Sequence, residues 1–184
     1  MSDQQHDGHA ARNAAAPLTV PIYETTTFLF DNAAQVVAFN SGTTERYLYT
    51  RYGNPTITAV EQELAALDGA ERALVFGSGM AATATALLAL TRAGDEVVCA
   101  ASIYGGTLHL LEDLLARFGV TPRFAPLEHL VEPSAVFSDR TRLVWFESPT
   151  NPILRCVDIR RVAALCRERG VLSAVDNTFA SPFN

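Results

Sequence analysis

The residues best suited to chemistry sit in short stretches that follow apolar runs. In the first, Ala73 to Phe76 leads into Gly77-Ser78-Gly79-Met80 and then an alanine- and leucine-rich tail ending at Leu90. The apolar run predicts a strand, the glycines a tight turn and the tail a helix. A glycine turn opening a helix aims several free backbone N–H groups at one point, at the positive end of the helix dipole. Such a place binds anions, most often phosphate. Glycine suits it because a Cβ would block close approach. A plain strand-to-helix turn with no ligand satisfies the same pattern. A nucleotide P-loop is excluded, since no Gly-Lys-Ser/Thr follows, and the dinucleotide fingerprint lacks its third glycine. The second stretch, Tyr47-Leu48-Tyr49-Thr50-Arg51-Tyr52, offers phenols and a guanidinium, which both donate to phosphate. A surface loop of packed tyrosines is the alternative there.

These residues need a scaffold, and the pattern around them predicts one. Residues 17–30 are β-prone and extended, and Asp31 or Asn32 can cap a short helix that runs to Phe39. Asn54 as N-cap and Pro55 at the first helical position start a helix with Ile57, Val60, Leu64 and Leu67 on one face, closed by Gly69. Further on, strands are predicted at 96–100, 121–125, 142–147 and 171–175, and helices at 108–118, 127–136 and 159–169. The alternation of strand and helix implies a mainly parallel sheet with helices on both faces. The loops carrying Gly79, Tyr104, Asn151 and Asp176 all follow strands. They therefore project from one edge of the sheet, where ligands of open α/β sheets bind, and define one candidate pocket.

Composition narrows the class. The chain has 184 residues, 48% hydrophobic and 18% charged, enough for a real core. A net charge of −6 gives no reason to expect nucleic acid, and no apolar run is long enough to span a membrane. Cys99, Cys156 and Cys166 make no CxxC pair, and an odd count argues against a disulfide framework, so a reducing cytoplasm is the expected setting. The three are read as small packing residues. Residues 1–16, with His6 and His9, read as a solvated tail rather than a metal site. All 14 basic residues are arginine; the chain contains no lysine.

Taken in order, the glycine turn with Met80, Tyr104-Gly105-Gly106-Thr107, Glu147-Ser148-Pro149-Thr150-Asn151-Pro152 and Asp176-Asn177-Thr178 resemble one known family. Tyr49-Thr50-Arg51-Tyr52-Gly53-Asn54-Pro55-Thr56 matches it too. The family is the cysteine/methionine-metabolism enzymes that use pyridoxal 5'-phosphate. Cystathionine γ-synthase, cystathionine γ-lyase, methionine γ-lyase and the homoserine-ester sulfhydrylases are members. The resemblance runs from about Pro17 to the last residue.

It implies the large domain of a fold-type I, aspartate-aminotransferase-like enzyme, present in part. Residues 1–55 would form a tail and an arm contacting a neighbouring subunit, and 56–184 part of the cofactor domain, with the C-terminal domain absent. Asp176 would keep the cofactor's ring nitrogen protonated, supported by Thr178. Asn151 would bond the ring hydroxyl oxygen. Tyr104 would stack on the ring and take part in catalysis. The amides of Gly79 and Met80 would bind the phosphate. Tyr49 and Arg51 would reach the phosphate of a neighbouring subunit in a homodimer or homotetramer. The implied reaction is γ-elimination or γ-replacement on homoserine esters or sulfur amino acids.

The chain departs from the family pattern in three ways. The Schiff-base lysine, which the resemblance places beyond Asp176-Asn177-Thr178, is missing, so residues 1–184 alone are expected to be inactive. A non-catalytic fragment or interaction module is the alternative reading. Gly106 stands where methionine γ-lyases typically carry cysteine. His109 stands where the cystathionine-handling branch often has arginine; it reads first as a helix-surface histidine, with a carboxylate contact as the alternative.

Overall fold

The structure, a computed structural model, describes residues 17–132 and 136–182. The predicted tail, with His6 and His9, lies outside the described residues, as does part of the helix predicted over 127–136. The chain divides into two compact units, the first ending at Val75 and the second beginning at Phe76.

In the first unit the extended residues 17–30 lie along the tyrosine-rich loop. The Phe28 amide donates to the Leu48 carbonyl at 3.0 Å and the Thr50 amide to the Thr26 carbonyl at 2.9 Å. Helix α1 (Ala33–Asn40) has Asn32 as its N-cap, whose side chain accepts from the Gln35 amide. Helix α2 (Pro55–Asp68) begins at the Asn-Pro pair and ends at Gly69, whose φ of 60° is the left-handed geometry that glycine adopts without strain. Buried Asn54 does more than cap. Its Oδ1 accepts from the Thr56 amide, while its Nδ2 donates to the Tyr23 carbonyl at 2.9 Å and to Thr50 Oγ1 at 3.2 Å. One side chain thus ties arm, loop and helix together.

The second unit is a four-stranded, all-parallel sheet: β1 (Glu96–Ala100), β2 (Thr121–Ala125), β3 (Thr141–Glu147) and β4 (Leu172–Asp176), in the order β2-β1-β3-β4. Side chains alternate across it with the period of a strand. Val97, Cys99, Leu143 and Trp145 pack on one side with Leu87, Leu111 and Leu115. Val98, Ala100, Val144 and Phe146 pack on the other with Leu130, Val162 and Cys166. Helix α3 (Gly79–Leu90) and the helical stretch after Tyr104 cover the first face. Helix α5 (Ile159–Glu168) and a 3-10 turn at Leu127–Val131 cover the second. Each fully buried Leu, Val or Phe contributes about 1.5–3 kcal/mol from apolar burial, which orders both layers around the sheet.

Two expectations change. Residues 73–76 pair with no strand among the described residues, and Leu74, Val75 and Phe76 are exposed. Their composition suits a strand, but a strand exists only through a partner's hydrogen bonds. The helix expected over 108–118 begins earlier. Helix α4 (Gly105–His109) continues as a π turn (Leu110–Leu114) and a 3-10 turn (Leu115–Phe118), then stops at Gly119 with φ 78°. Gly105-Gly106 disfavours helix by propensity, yet burial of Thr107, Leu110 and Leu111 against the sheet overrides it.

Candidate functional site

The strand order reverses between β1 and β3: the chain leaves β1 outward to β2, then returns past it to β3 and β4. Crevices at the carboxyl ends of strands flanking such a reversal are where open parallel sheets bind ligands. A cavity of about 420 Å³ opens there. Gly79, Met80, Tyr104, Asn151, Asp176 and Thr178 all line it, together with Ser78, Thr83, Glu147, Pro149 and Phe179.

The start of α3 forms part of the cavity wall. Ser78 is the N-cap, its Oγ accepting from the Ala81 amide at 3.1 Å, and its carbonyl accepts from the Ala82 amide. The amides of Gly79 and Met80, first in the helix, have no partner among the described residues. A Cβ added at Gly79 would enter open space, with no heavy atom within 4 Å. The helix dipole makes this end positive.

Two acids also line the cavity. Asp176 closes β4, and its Oδ1 accepts from both the amide (3.0 Å) and the hydroxyl of Thr178. Glu147 closes β3 and is 3% exposed. Its Oε1 accepts from the Tyr104 amide at 2.6 Å and its Oε2 from the Asn151 amide at 3.0 Å. Among the described residues no basic side chain lines the cavity. Cys99, on the neighbouring strand, feels this environment. Burial first, and the charge of Glu147 second, push its thiol well above the usual range, which keeps it a neutral packing group.

Gly106 shapes the wall beside Tyr104. A Cβ there would lie 2.5 Å from Tyr104 Cε1 and 3.0 Å from Met80 Sδ. The Tyr104 ring therefore occupies space that only a glycine at position 106 leaves open.

Glu147 has a role here that its place in the Glu147-Ser148-Pro149-Thr150-Asn151-Pro152 stretch does not reveal. A charged residue ending an otherwise apolar strand was the available signal. Tyr49 and Arg51 belong to the first unit. There the Arg51 guanidinium lies over the rings of Tyr49 (5.0 Å) and Tyr52 (5.4 Å), and Tyr49 bridges to Thr27. His109 does not line the cavity. It is exposed, with Nδ1 3.4 Å from Asp113 on the same helical stretch.

The donor set fits pyridoxal phosphate. Free helix-start amides suit a phosphate, and a carboxylate on the same cavity wall suits a protonated ring nitrogen. Tyr104 offers an aromatic face and Asn151 an amide for the ring between them.

A parallel α/β fold of this kind belongs to the fold-type I pyridoxal phosphate enzymes. The family model for "Cys/Met metabolism PLP-dependent enzyme" matches residues 2–184, and the chain belongs to that family. It is 39% identical over 179 residues to a probable cystathionine gamma-synthase of Herpetosiphon aurantiacus, covering 97% of this chain and 53% of that one. It is 38% identical over 177 residues to an L-methionine gamma-lyase of Porphyromonas gingivalis, covering 96% and 44%. Among solved structures it superposes, with TM-score 0.82 and 34% identity, on a putative O-acetylhomoserine (thiol)-lyase of Campylobacter jejuni. The match covers 90% of this chain and 41% of that one, and that structure carries N'-pyridoxyl-lysine-5'-monophosphate. The chain spans about half the length of the curated relatives it matches.

Proposed function

We propose that this chain supplies the cofactor-holding part of a trans-sulfuration enzyme that carries out γ-elimination or γ-replacement on homoserine esters or sulfur amino acids. The reading is cystathionine γ-synthase-like or homoserine-ester-sulfhydrylase-like. The observation that carries it is one cavity lined both by the free amides at the start of α3 and by Asp176.

Pyridoxal phosphate, when bound, supplies an electron sink for the pair of electrons left when a substrate's α-carbon loses its proton. The chain's own residues hold and tune it. The amides of Gly79 and Met80 bind the phosphate. Asp176 keeps a proton on the ring nitrogen, and the two bonds from Thr178 hold that carboxylate in place. Asn151 orients the ring through its hydroxyl oxygen. Tyr104 covers one face, excludes water and brings a phenol close to the reacting carbon. Tyr49 and Arg51 serve a neighbouring subunit's phosphate in a homodimer or homotetramer. The amino group that bonds the cofactor comes from outside these 184 residues, which contain no lysine, and residues 1–184 alone have no turnover.

Equilibrium dialysis with pyridoxal phosphate, followed by borohydride reduction and peptide mapping, tests this. The full chain is expected to hold one cofactor reversibly and to carry no reduced adduct between residues 17 and 182. Absence of saturable binding, or turnover of a homoserine ester by the chain alone, would overturn it.

A further inference from the structure

Glu147 is a buried carboxylate that no cationic side chain neutralises among the described residues. Its charge is met instead by two backbone N–H groups from separate loops, that of Tyr104 after β1 and that of Asn151 after β3. One bond spans 43 positions of sequence and crosses the point where strand order reverses. Ser102 reinforces the same junction, its hydroxyl donating to the Asn151 carbonyl at 3.2 Å.

We propose that Glu147 is the positioning residue of the site: it fixes the aromatic wall, Tyr104, and the ring-orienting amide, Asn151, at one mutual distance. The proposal rests on the cofactor reading given above. The geometry requires two acceptor oxygens on one side chain. A carboxylate accepts through both oxygens, whereas an amide accepts through one atom and donates through the other. In a Gln at this position, one of the two backbone N–H groups would face another donor. One loop would then be released while the side chain's volume and the sheet beneath stay as they are.

The consequence is selective. Inorganic phosphate needs only the start of α3, to which Glu147 makes no hydrogen bond among the described residues. Pyridoxal phosphate also needs the ring placed between Tyr104 and Asn151. Titrations of the full chain and its Glu147→Gln variant with both probes separate the two. The variant is expected to bind inorganic phosphate within about twofold of the unsubstituted chain. It should bind pyridoxal phosphate about tenfold or more weakly, since hydrogen bonds to charged groups are worth at least that factor. The induced circular dichroism of the bound cofactor should change as well. Equal affinity for pyridoxal phosphate, or parallel loss of both probes, would overturn the proposal.

A measurement on the unsubstituted chain decides the clamp even if the variant fails to fold. The Tyr104 and Asn151 amide hydrogens, although in loops, should exchange as slowly as those of β1 and β3. Rapid exchange at both would overturn it. If the unsubstituted chain binds no pyridoxal phosphate, the cofactor reading fails on its own, while amide exchange still reports on the clamp.

Discussion

The ring of Tyr104 lies where a side chain at Gly106 would have to be, with Cε1 2.5 Å from the position of an added Cβ. The clash is with the far end of a side chain that can swing, not with backbone. Gly106→Ala should therefore change global stability by less than about 1 kcal/mol, the helix gaining roughly what the wall loses. Tyr104 should leave its place, and pyridoxal phosphate should bind about three- to tenfold more weakly. Chemical denaturation and a cofactor titration of the same variant check both halves.

Asp176 is held by two donors from Thr178 on a single oxygen. Asp176→Asn keeps the shape and removes the charge. Loss of a charge-assisted contact to the ring nitrogen should weaken pyridoxal phosphate binding by about 10- to 100-fold while inorganic phosphate binding holds. An unchanged pyridoxal phosphate titration would remove Asp176 from the site.

Much of this site was legible in the sequence because its residues end elements with strong local signals. In the first unit Asn54-Pro55 and Gly69 mark α2; in the second the glycine turn marks the start of α3, and the apolar runs of β1, β3 and β4 place Tyr104, Asn151 and Asp176 on one edge. What escaped was non-local. The bond from Tyr104 to Glu147 joins a main-chain amide to an acid 43 residues away, and no periodicity records such a pair. The early start of α4 at Gly105 escaped as well, because burial and not propensity decides it. Residues 73–76 failed for the same reason in reverse: a strand's composition, without a partner among the described residues.

Asn54 joins three segments of the first unit through three hydrogen bonds, two donated and one accepted. Asn54→Ala should cost about 1–3 kcal/mol, beyond an ordinary N-cap loss, because the Tyr23 carbonyl and Thr50 hydroxyl also lose a donor. Urea unfolding followed through the tyrosines of residues 17–75 would show it. A loss below about 0.5 kcal/mol would mean those bonds do not hold the arm.

Burial raises the Cys166 thiol from 9.0 to about 11, and that of Cys99 is pushed up further. A thiol whose folded pKa is raised contributes stability that is complete below the unfolded value and lost as pH climbs through the folded one. Between pH 9 and about 11 the unfolded chain sheds the Cys166 proton and the folded chain keeps it. Stability should then fall by up to about 1.4 kcal/mol per pH unit from this group. The stability gap between the unsubstituted chain and Cys166→Ala should narrow across that window. A constant gap would contradict the burial of this thiol.

The most direct test of the account is a pyridoxal phosphate titration of the isotope-labelled full chain, read by amide NMR. The account expects saturable, one-to-one shifts at Gly79 and Met80, moving downfield as their N–H groups take up phosphate, with coupled shifts at Asn151, Asp176 and Thr178. Shifts absent from the start of α3, or scattered over the surface without saturation, would show that this cavity is not the cofactor site.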